Sequence, residues 1–372
     1  MARPHIAAVI ENAFFGSIES VLRARGWRER IIGYTGYGTP GQARIMARVL
    51  LSREGEDYGW SAHAEPGTTR QEVEEADLQK RGWRAFLTAP AANTAVRIEL
   101  GAATLVARTD RGGYIDVVVS GHGLSPGWHN ATLTELSGDT VETKVQVVDP
   151  HTPIGVVSDI DDTVMMTHLP RPMIAAFNTF VRSEQAREEV PGMATMYRSL
   201  LDQQPGTPIF YLSTGAWNTA PTLTRFMRRH GFPAGPLLLT DWGPTNTGWF
   251  RSGQEHKRQQ LARLTQEYAD TRWILVGDDG QHDPAIYGDF AEAHPDRVEV
   301  IAIRQLTPGQ QVLSHGLPIA TDELLGKSYG STPMLRAPDG FTLHTLIQSA
   351  RQRMGRLHPA SWVPTADRGA SE

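Results

Sequence analysis

The sequence has no cysteine, no long apolar run and no excess of basic residues, and each absence excludes a class of function. Without cysteine, its 372 residues form no disulfide, no thiolate nucleophile and no cysteine-ligated zinc site. No apolar run reaches the ~18 residues that a membrane-spanning helix needs. The formal net charge of −5 offers no general surface for polyanions, so we expect no nucleic-acid partner. Together these absences predict a soluble protein, and an N-terminal stretch that does not resemble a signal peptide predicts a cytoplasmic one.

The amino-terminal half changes its hydrophobic period near residue 30. Residues 1–30 carry apolar side chains at spacings of three and four, which predicts an amphipathic helix. Such a helix usually packs on its own domain, and peripheral attachment to an anionic membrane is the alternative. Residues 31–150 contain alternating or β-branched segments between Gly, Asp and Pro, which predicts an antiparallel β-sandwich-like domain or a partial barrel. The GxGxxG run at 36–41 lies among these segments, so we predict a turn there and not a dinucleotide site.

Residues 151–330 alternate between strand-like and helix-like patterns. The predicted strands are 154–158, 208–212, 236–239, 272–276 and 297–303, with helices near 192–203, 217–230, 254–269 and 283–293. Alternation at this length predicts an α/β fold with a five-stranded parallel sheet. Ligands bind such sheets beyond the carboxyl ends of the strands. In residues 331–372 we predict one helix, near 339–355, followed by a polar tail.

Two carboxylates directly follow the first predicted strand of this sheet. The run Asp159-Ile160-Asp161-Asp162-Thr163 comes after the apolar segment 154–158. Carboxylates two residues apart at a strand end can meet one metal ion and one phosphate. Asp159 is then placed to attack phosphorus, and Asp161 to handle the proton of the leaving group. Acidic turns after strands are common, so this pattern alone does not distinguish a catalytic pair from a turn.

Three further segments place chemically useful residues at strand ends or helix starts. Ser213 and Thr214 follow the second predicted strand, where hydroxyl and backbone N–H groups suit phosphoryl oxygens. Lys257 lies near the start of a helix, placed to neutralise a carboxylate and a phosphoryl oxygen together. Asp278 and Asp283 follow the fourth strand and offer the oxygen ligands that Mg²⁺ prefers. Singly, these segments also fit a helix cap, a surface lysine and an acidic turn.

The order carboxylate pair, hydroxyl, lysine, carboxylate pair resembles the haloacid dehalogenase (HAD) superfamily of phosphotransferases. More narrowly, Tyr211-Leu212-Ser213 with Trp217-Asn218, His256-Lys257 and the run 277–287 is similar to the actin-patch-type phosphatidate phosphatase family. The resemblance covers residues 151–305. It implies a HAD-like Rossmannoid domain with a small cap insertion at about 164–191. Gly215-Ala216 and Asp279 depart from the family pattern, which bears on substrate fit more than on chemistry.

The resemblance implies a Mg²⁺-dependent phosphomonoester hydrolase that forms an aspartyl-phosphate on Asp159. Asp161 would protonate the departing alkoxide and then activate water. The implied phosphate-binding residues are Ser213, Thr214 and Lys257. The implied metal ligands are Asp159, Asp161 through its main-chain carbonyl, Asp278, and Asp283 as a nearby ligand or the partner of Lys257.

Phosphatidate is the implied substrate, hydrolysed at a membrane surface to diacylglycerol and phosphate. The cap insertion mixes apolar side chains with arginines, which fits either a flap at a bilayer or a helix packed on the sheet. A soluble phosphomonoester is the alternative substrate. A non-catalytic binding module is the alternative class, disfavoured because degenerate members typically lose a carboxylate or the lysine, and this chain retains both.

Overall fold

The computed structural model describes residues 21–53, 89–135, 138–166, 188–240, 249–280, 282–315 and 332–357. Most of the predicted N-terminal helix, the segment 167–187 of the predicted cap insertion and the C-terminal tail lie outside these residues. Within the described residues the strands form two separate sheets. None of the helices described is long and apolar enough to cross a membrane.

The first sheet is built from eight strands of the amino-terminal half. They are β1 (Trp27–Thr39), β2 (Gln42–Arg53), β3 (Ala89–Pro90), β4 (Ala95–Leu100), β5 (Ala103–Arg108), β6 (Tyr114–Ser120), β7 (Gly127–Glu135) and β8 (Thr140–Val147). The order is β3-β2-β1-β8-β7-β4-β5, with β6 paired to β2, and only β1 and β8 run parallel. This single curled, mostly antiparallel sheet confirms the β-rich half, whereas two facing sheets of a sandwich are not confirmed.

A tight hairpin joins the first two strands at the GxGxxG run. Strand β1 ends at Thr39 and β2 begins at Gln42. A Cβ atom on Gly38 would lie 2.2 Å from the Gln42 carbonyl oxygen, so only glycine fits there. The predicted turn is confirmed, because no helix starts at these glycines.

The second sheet is parallel throughout and has six strands. They are β9 (Ile154–Asp159), β10 (Ile209–Ala216), β11 (Leu237–Thr240), β12 (Arg272–Asp278), β13 (Val298–Arg304) and β14 (Met334–Ala337). Their order is β11-β10-β9-β12-β13-β14. The five predicted strands are confirmed. The sixth, β14, was missed, because four residues that include Arg336 carry too little apolar pattern to indicate a strand.

Helices connect and cover the parallel strands. They are α1 (Met193–Asp202), α2 (Ala220–Arg229), α3 (Trp249–Glu267), α4 (Asp283–Ala293), α5 (Pro308–His315) and α6 (Gly340–Leu357). Helix α2 shows why such segments are helical: proline lies in its first turn, Arg228 and Arg229 complement the dipole in its last turn, and Leu223 and Phe226 are buried. Leu343 and Ile347 of α6 are buried in the same apolar core as the parallel sheet.

The two sheets pack against each other through aromatic side chains. The ring of Tyr34 stacks on Trp217 with 4.5 Å between centroids, and Tyr37 meets Phe210 edge-on at 5.1 Å. Tyr34 and Tyr37 belong to the same buried cluster as strands β9, β10, β12 and β13. The Tyr268 hydroxyl also donates a hydrogen bond of 3.3 Å to the Gly38 carbonyl. The β-rich half therefore shares its core with the parallel sheet.

Candidate active site

The carboxyl ends of two neighbouring parallel strands bring acidic residues together. Strand β9 ends at Asp159 and β12 at Asp278, and the two strands pair in register through Ser158 and Val276. Asp283 begins helix α4, five residues after Asp278. One carboxylate oxygen from each of these three aspartates lies within 4.8 Å of the other two.

Lys257 reaches into this group of carboxylates from helix α3. Its Nζ donates hydrogen bonds of 2.6 Å to Asp159 Oδ1 and 2.6 Å to Asp283 Oδ1. The lysine side chain is only 3% exposed, so it is a buried cation and not a surface lysine. Three buried carboxylates face one ammonium group, which leaves an excess of negative charge at the strand ends.

Two of the carboxylate oxygens have no donor in the part of the chain that the structure describes. Asp278 Oδ1 accepts a hydrogen bond of 2.6 Å from the Gly280 backbone N–H. Asp278 Oδ2 and Asp283 Oδ2 are buried and unpartnered there. Buried carboxylate oxygens are usually hydrogen-bonded or coordinate a metal. A donor set made only of oxygens fits a hard divalent cation such as Mg²⁺.

Burial governs the protonation of the group. It raises the pKa of Asp159 to about 8, against the lowering effect of Lys257, and the negative charges of Asp283 and Asp161 raise it further. Burial likewise raises the pKa of Asp278 well above its usual range, helped by Asp283 and Asp159. For Lys257, burial favours the neutral amine, but Asp159 and Asp283 outweigh it and the pKa lies above its usual value. A cation that binds here therefore competes with protons on the carboxylates.

Asp161 lies beside the hydroxyl group of Ser213 on strand β10. Ser213 Oγ donates a hydrogen bond of 3.0 Å to Asp161 Oδ2 and accepts one of 2.9 Å from the Gly215 N–H. The Asp161 side chain is not part of the described carboxylate group that could share one cation. Thr214 is partly exposed, and its carbonyl accepts a hydrogen bond of 3.0 Å from Thr240 Oγ1.

Sequence reasoning missed a buried arginine beside the turn that follows strand β9. Arg304 ends strand β13, and its Nη1 donates a hydrogen bond of 2.6 Å to the main-chain carbonyl of Asp162. Asp162 has a left-handed backbone conformation with φ of 57°. No sequence pattern could have indicated this contact, because its acceptor is a backbone carbonyl and not a side chain.

Comparison with known proteins finds a similarity over the residues that form the site. Residues 154–305 match the family described as phosphatidate phosphatase APP1, catalytic domain. Over 153 residues the chain is 30% identical to phosphatidate phosphatase APP1 of Saccharomyces cerevisiae, covering 41% of this chain and 26% of that protein. Over 154 residues it is 24% identical to an uncharacterized protein of Schizosaccharomyces pombe, covering 41% and 25%. The chain thus spans about a quarter of the length of the curated relatives it matches.

Similarity to solved structures is slight. A 2,6-sialyltransferase of Photobacterium sp. JT-ISH-224 aligns with a TM-score of 0.24 and 10% identity, covering 63% of this chain and 49% of that chain. Likeness at this level supports no inference about fold or function.

The family match and the geometry coincide. The matched residues run from the start of β9 to just beyond β13 and contain Asp159, Lys257, Asp278 and Asp283. Residues 154–305 of this chain are therefore similar to the catalytic domain of APP1-type phosphatidate phosphatases.

Proposed function

We propose that this protein is a Mg²⁺-dependent phosphatase that hydrolyses phosphatidate on a HAD-like catalytic domain. The observation that carries the proposal is the buried group in which Lys257 Nζ contacts Asp159 and Asp283 at 2.6 Å each. Such a group has a nucleophilic carboxylate, a fixed ammonium and unpartnered oxygens suited to a cation. Phosphoryl transfer depends mostly on positioning and on charge neutralisation, and these residues supply both.

Asp159 is the nucleophile in this scheme. Lys257 holds one of its oxygens, which leaves the other to form a bond to phosphorus as the ester P–O bond breaks. Asp161 gives its proton to the departing alkoxide. Asp161 then takes a proton from a water molecule that attacks phosphorus, and the bond from Asp159 to phosphorus breaks to release phosphate.

The remaining residues bind the phosphoryl group and the metal. The 3.0 Å hydrogen bond from Ser213 orients the Asp161 carboxyl. We assign phosphoryl oxygens to Ser213, Thr214 and Lys257. Asp159, Asp278, the Asp161 main-chain carbonyl and Asp283 would hold Mg²⁺. When bound, Mg²⁺ supplies positive charge that balances the carboxylates and the phosphoryl oxygens.

The family match supports phosphatidate as the substrate, since the relative in Saccharomyces cerevisiae carries that activity in its name. A phosphatidate phosphatase meets its substrate at a membrane surface, so we also propose peripheral contact with a bilayer. The cap insertion that would form this contact lies mostly outside the described residues. A soluble phosphomonoester remains the alternative substrate, because the carboxylate–lysine group recognises only the phosphoryl end.

Phosphate release from phosphatidate vesicles and from a panel of soluble phosphomonoesters tests the proposal. We expect release from phosphatidate with Mg²⁺, none with a chelator, and none from Asp159→Asn. Asp289→Asn is the matched control, because this aspartate on α4 is 63% exposed and should retain full activity. Faster phosphate release from a soluble ester than from phosphatidate would refute phosphatidate as the substrate. No release from any ester would refute the proposal that the protein is a phosphatase.

A further inference from the structure

Arg304 is a buried arginine that binds backbone next to the catalytic carboxylates. It is 4% exposed and ends strand β13, one strand away from Asp278. Its guanidinium donates to three oxygens: the Asp162 carbonyl at 2.6 Å, Gln310 Oε1 at 3.3 Å and the Pro338 carbonyl at 3.4 Å. An arginine so enclosed holds its partners in a fixed arrangement, because its planar group offers several donors at set angles.

Asp162, whose carbonyl accepts the hydrogen bond from Arg304, has an unfavourable backbone conformation. Asp162 directly follows Asp161 and has φ of 57°, a left-handed conformation that residues other than glycine seldom adopt. Such conformations persist only where the surroundings determine them. The Asp162 N–H donates to the Met165 carbonyl at 2.8 Å, which closes the turn. Its buried carbonyl accepts the hydrogen bond from Arg304, so the two peptide groups on either side of the Asp162 Cα are both fixed.

Gln310 connects Arg304 to Met166, at the end of the turn formed by residues 161–166. Gln310 Oε1 accepts hydrogen bonds from Arg304 at 3.3 Å and from the Thr307 N–H at 3.0 Å. Its Nε2 donates to the sulfur of Met166 at 3.6 Å. Arg304 and Gln310 thus support the turn 161–166 from the side opposite to Ser213.

We propose that Arg304 is a positioning residue for Asp161. It holds the Asp162 peptide in its left-handed conformation, and this sets the direction from which the Asp161 carboxyl reaches the leaving oxygen. The inference rests on the proposed function, in which Asp161 protonates the departing alkoxide. Arg304 has no described hydrogen bond with Asp159 or Lys257, and its electrostatic interaction with Asp278 should affect every ester alike. Its loss should therefore impair proton transfer more than the attack on phosphorus.

The test compares two esters that differ in their need for a proton. Phosphatidate releases an alkoxide and needs the acid, whereas p-nitrophenyl phosphate releases a stable phenolate and does not. The measured quantity is kcat/KM, which reports the steps up to leaving-group departure. For Arg304→Met we expect kcat/KM to fall about 10²-fold with phosphatidate and by less than about 5-fold with the aryl ester. Asp161→Asn should show the same split.

Variants at Arg351 and Gln310 separate positioning from folding. Arg351 donates a hydrogen bond of 2.7 Å to Glu299 near the other end of β13. Arg351→Met should therefore lower the stability of the fold and change kcat/KM by the same factor for both esters. Gln310→Leu removes the contacts of this side chain with Arg304, Thr307 and Met166 but leaves the Arg304 guanidinium on the Asp162 carbonyl. It should show the same split between the two esters at about 5-fold. Equal losses on both esters in Arg304→Met, or in Gln310→Leu if the former does not fold, would overturn the positioning role. Wild-type protein inactive on both esters would refute the proposed function itself.

Discussion

Lys257 is shared between Asp159 and Asp283 at 2.6 Å each, and all three side chains are buried. Removing a buried partner leaves uncompensated charge, which destabilises a fold by about 3–5 kcal/mol. We therefore expect Lys257→Met to lower the free energy of unfolding at neutral pH by about 3 kcal/mol and to abolish phosphate release. Urea unfolding followed by circular dichroism measures the first effect.

The neighbouring Arg258 provides the control for this variant. It pairs with Asp289 at 3.4 Å, but the two side chains are 44% and 63% exposed. Exposed pairs contribute about 0–1 kcal/mol, so Arg258→Met should leave both stability and activity near the wild-type values. Equal destabilisation by the two substitutions would show that the burial of Lys257 has no energetic role.

His256 connects helix α3 with strand β11, since its Nε2 donates a hydrogen bond of 3.3 Å to the Leu238 carbonyl. Burial lowers the pKa of His256 from 6.5 to about 4. Above pH 6.5 both the folded and the unfolded states are neutral at this residue. Between pH 6.5 and 4 only the unfolded state takes up the proton, so the folded state loses stability as the pH falls through this window.

Replacing this histidine should remove that pH dependence. We expect His256→Gln to reduce the loss of stability on acidification by up to about 1.4 kcal/mol per pH unit across the window. Thermal unfolding at several pH values measures the slope. His151→Gln is the control, because the side chain of His151 is 81% exposed. An unchanged slope in His256→Gln would mean that this imidazole is not kept neutral by burial.

Among the secondary-structure elements, the sequence could predict those strands whose own apolar run is long enough to indicate a strand without knowledge of their neighbours. Strands β9, β12 and β13 are buried on both faces and appear as continuous runs of Val, Ile and Leu. Asp159 and Asp278 could also be predicted as site residues, because each ends a strand. Lys257 lies in the middle of α3, which begins at Trp249, and not near a helix start as predicted, so only the order of the motifs indicated it. Strand β14 forms by pairing with β13, and its own four residues show no strand pattern. The contact of Arg304 is with a backbone carbonyl, which every residue has, so no sequence pattern indicates it.

At the scale of the whole molecule, the β-rich half supports the catalytic half through a shared core. Tyr34 is 5% exposed and stacks on Trp217, which directly follows strand β10 and its Ser213. Truncating a buried aromatic side chain costs about 3–5 kcal/mol. We expect Tyr34→Ala to destabilise both sheets together, with one unfolding transition by tryptophan fluorescence and by circular dichroism.

A control for this variant comes from the outer surface of the first sheet. Val106 is 58% exposed, so Val106→Ala should shift the unfolding midpoint by far less than Tyr34→Ala. Two separated transitions in Tyr34→Ala, with the parallel sheet unaffected, would show that the two halves fold independently. A single transition fits a β-rich half that forms one folding unit with the parallel sheet.

The identity of the nucleophile is tested most directly by stopping the reaction with acid and locating the phosphoryl group by peptide mass spectrometry. Asp161→Asn, which should slow hydrolysis of the intermediate, is mixed with p-nitrophenyl phosphate and Mg²⁺ and then quenched. We expect a phosphoryl group on the peptide that contains Asp159, and none when Asp159→Asn is added to the same protein. A phosphoryl group on another residue, or undiminished turnover in Asp159→Asn alone, would contradict it.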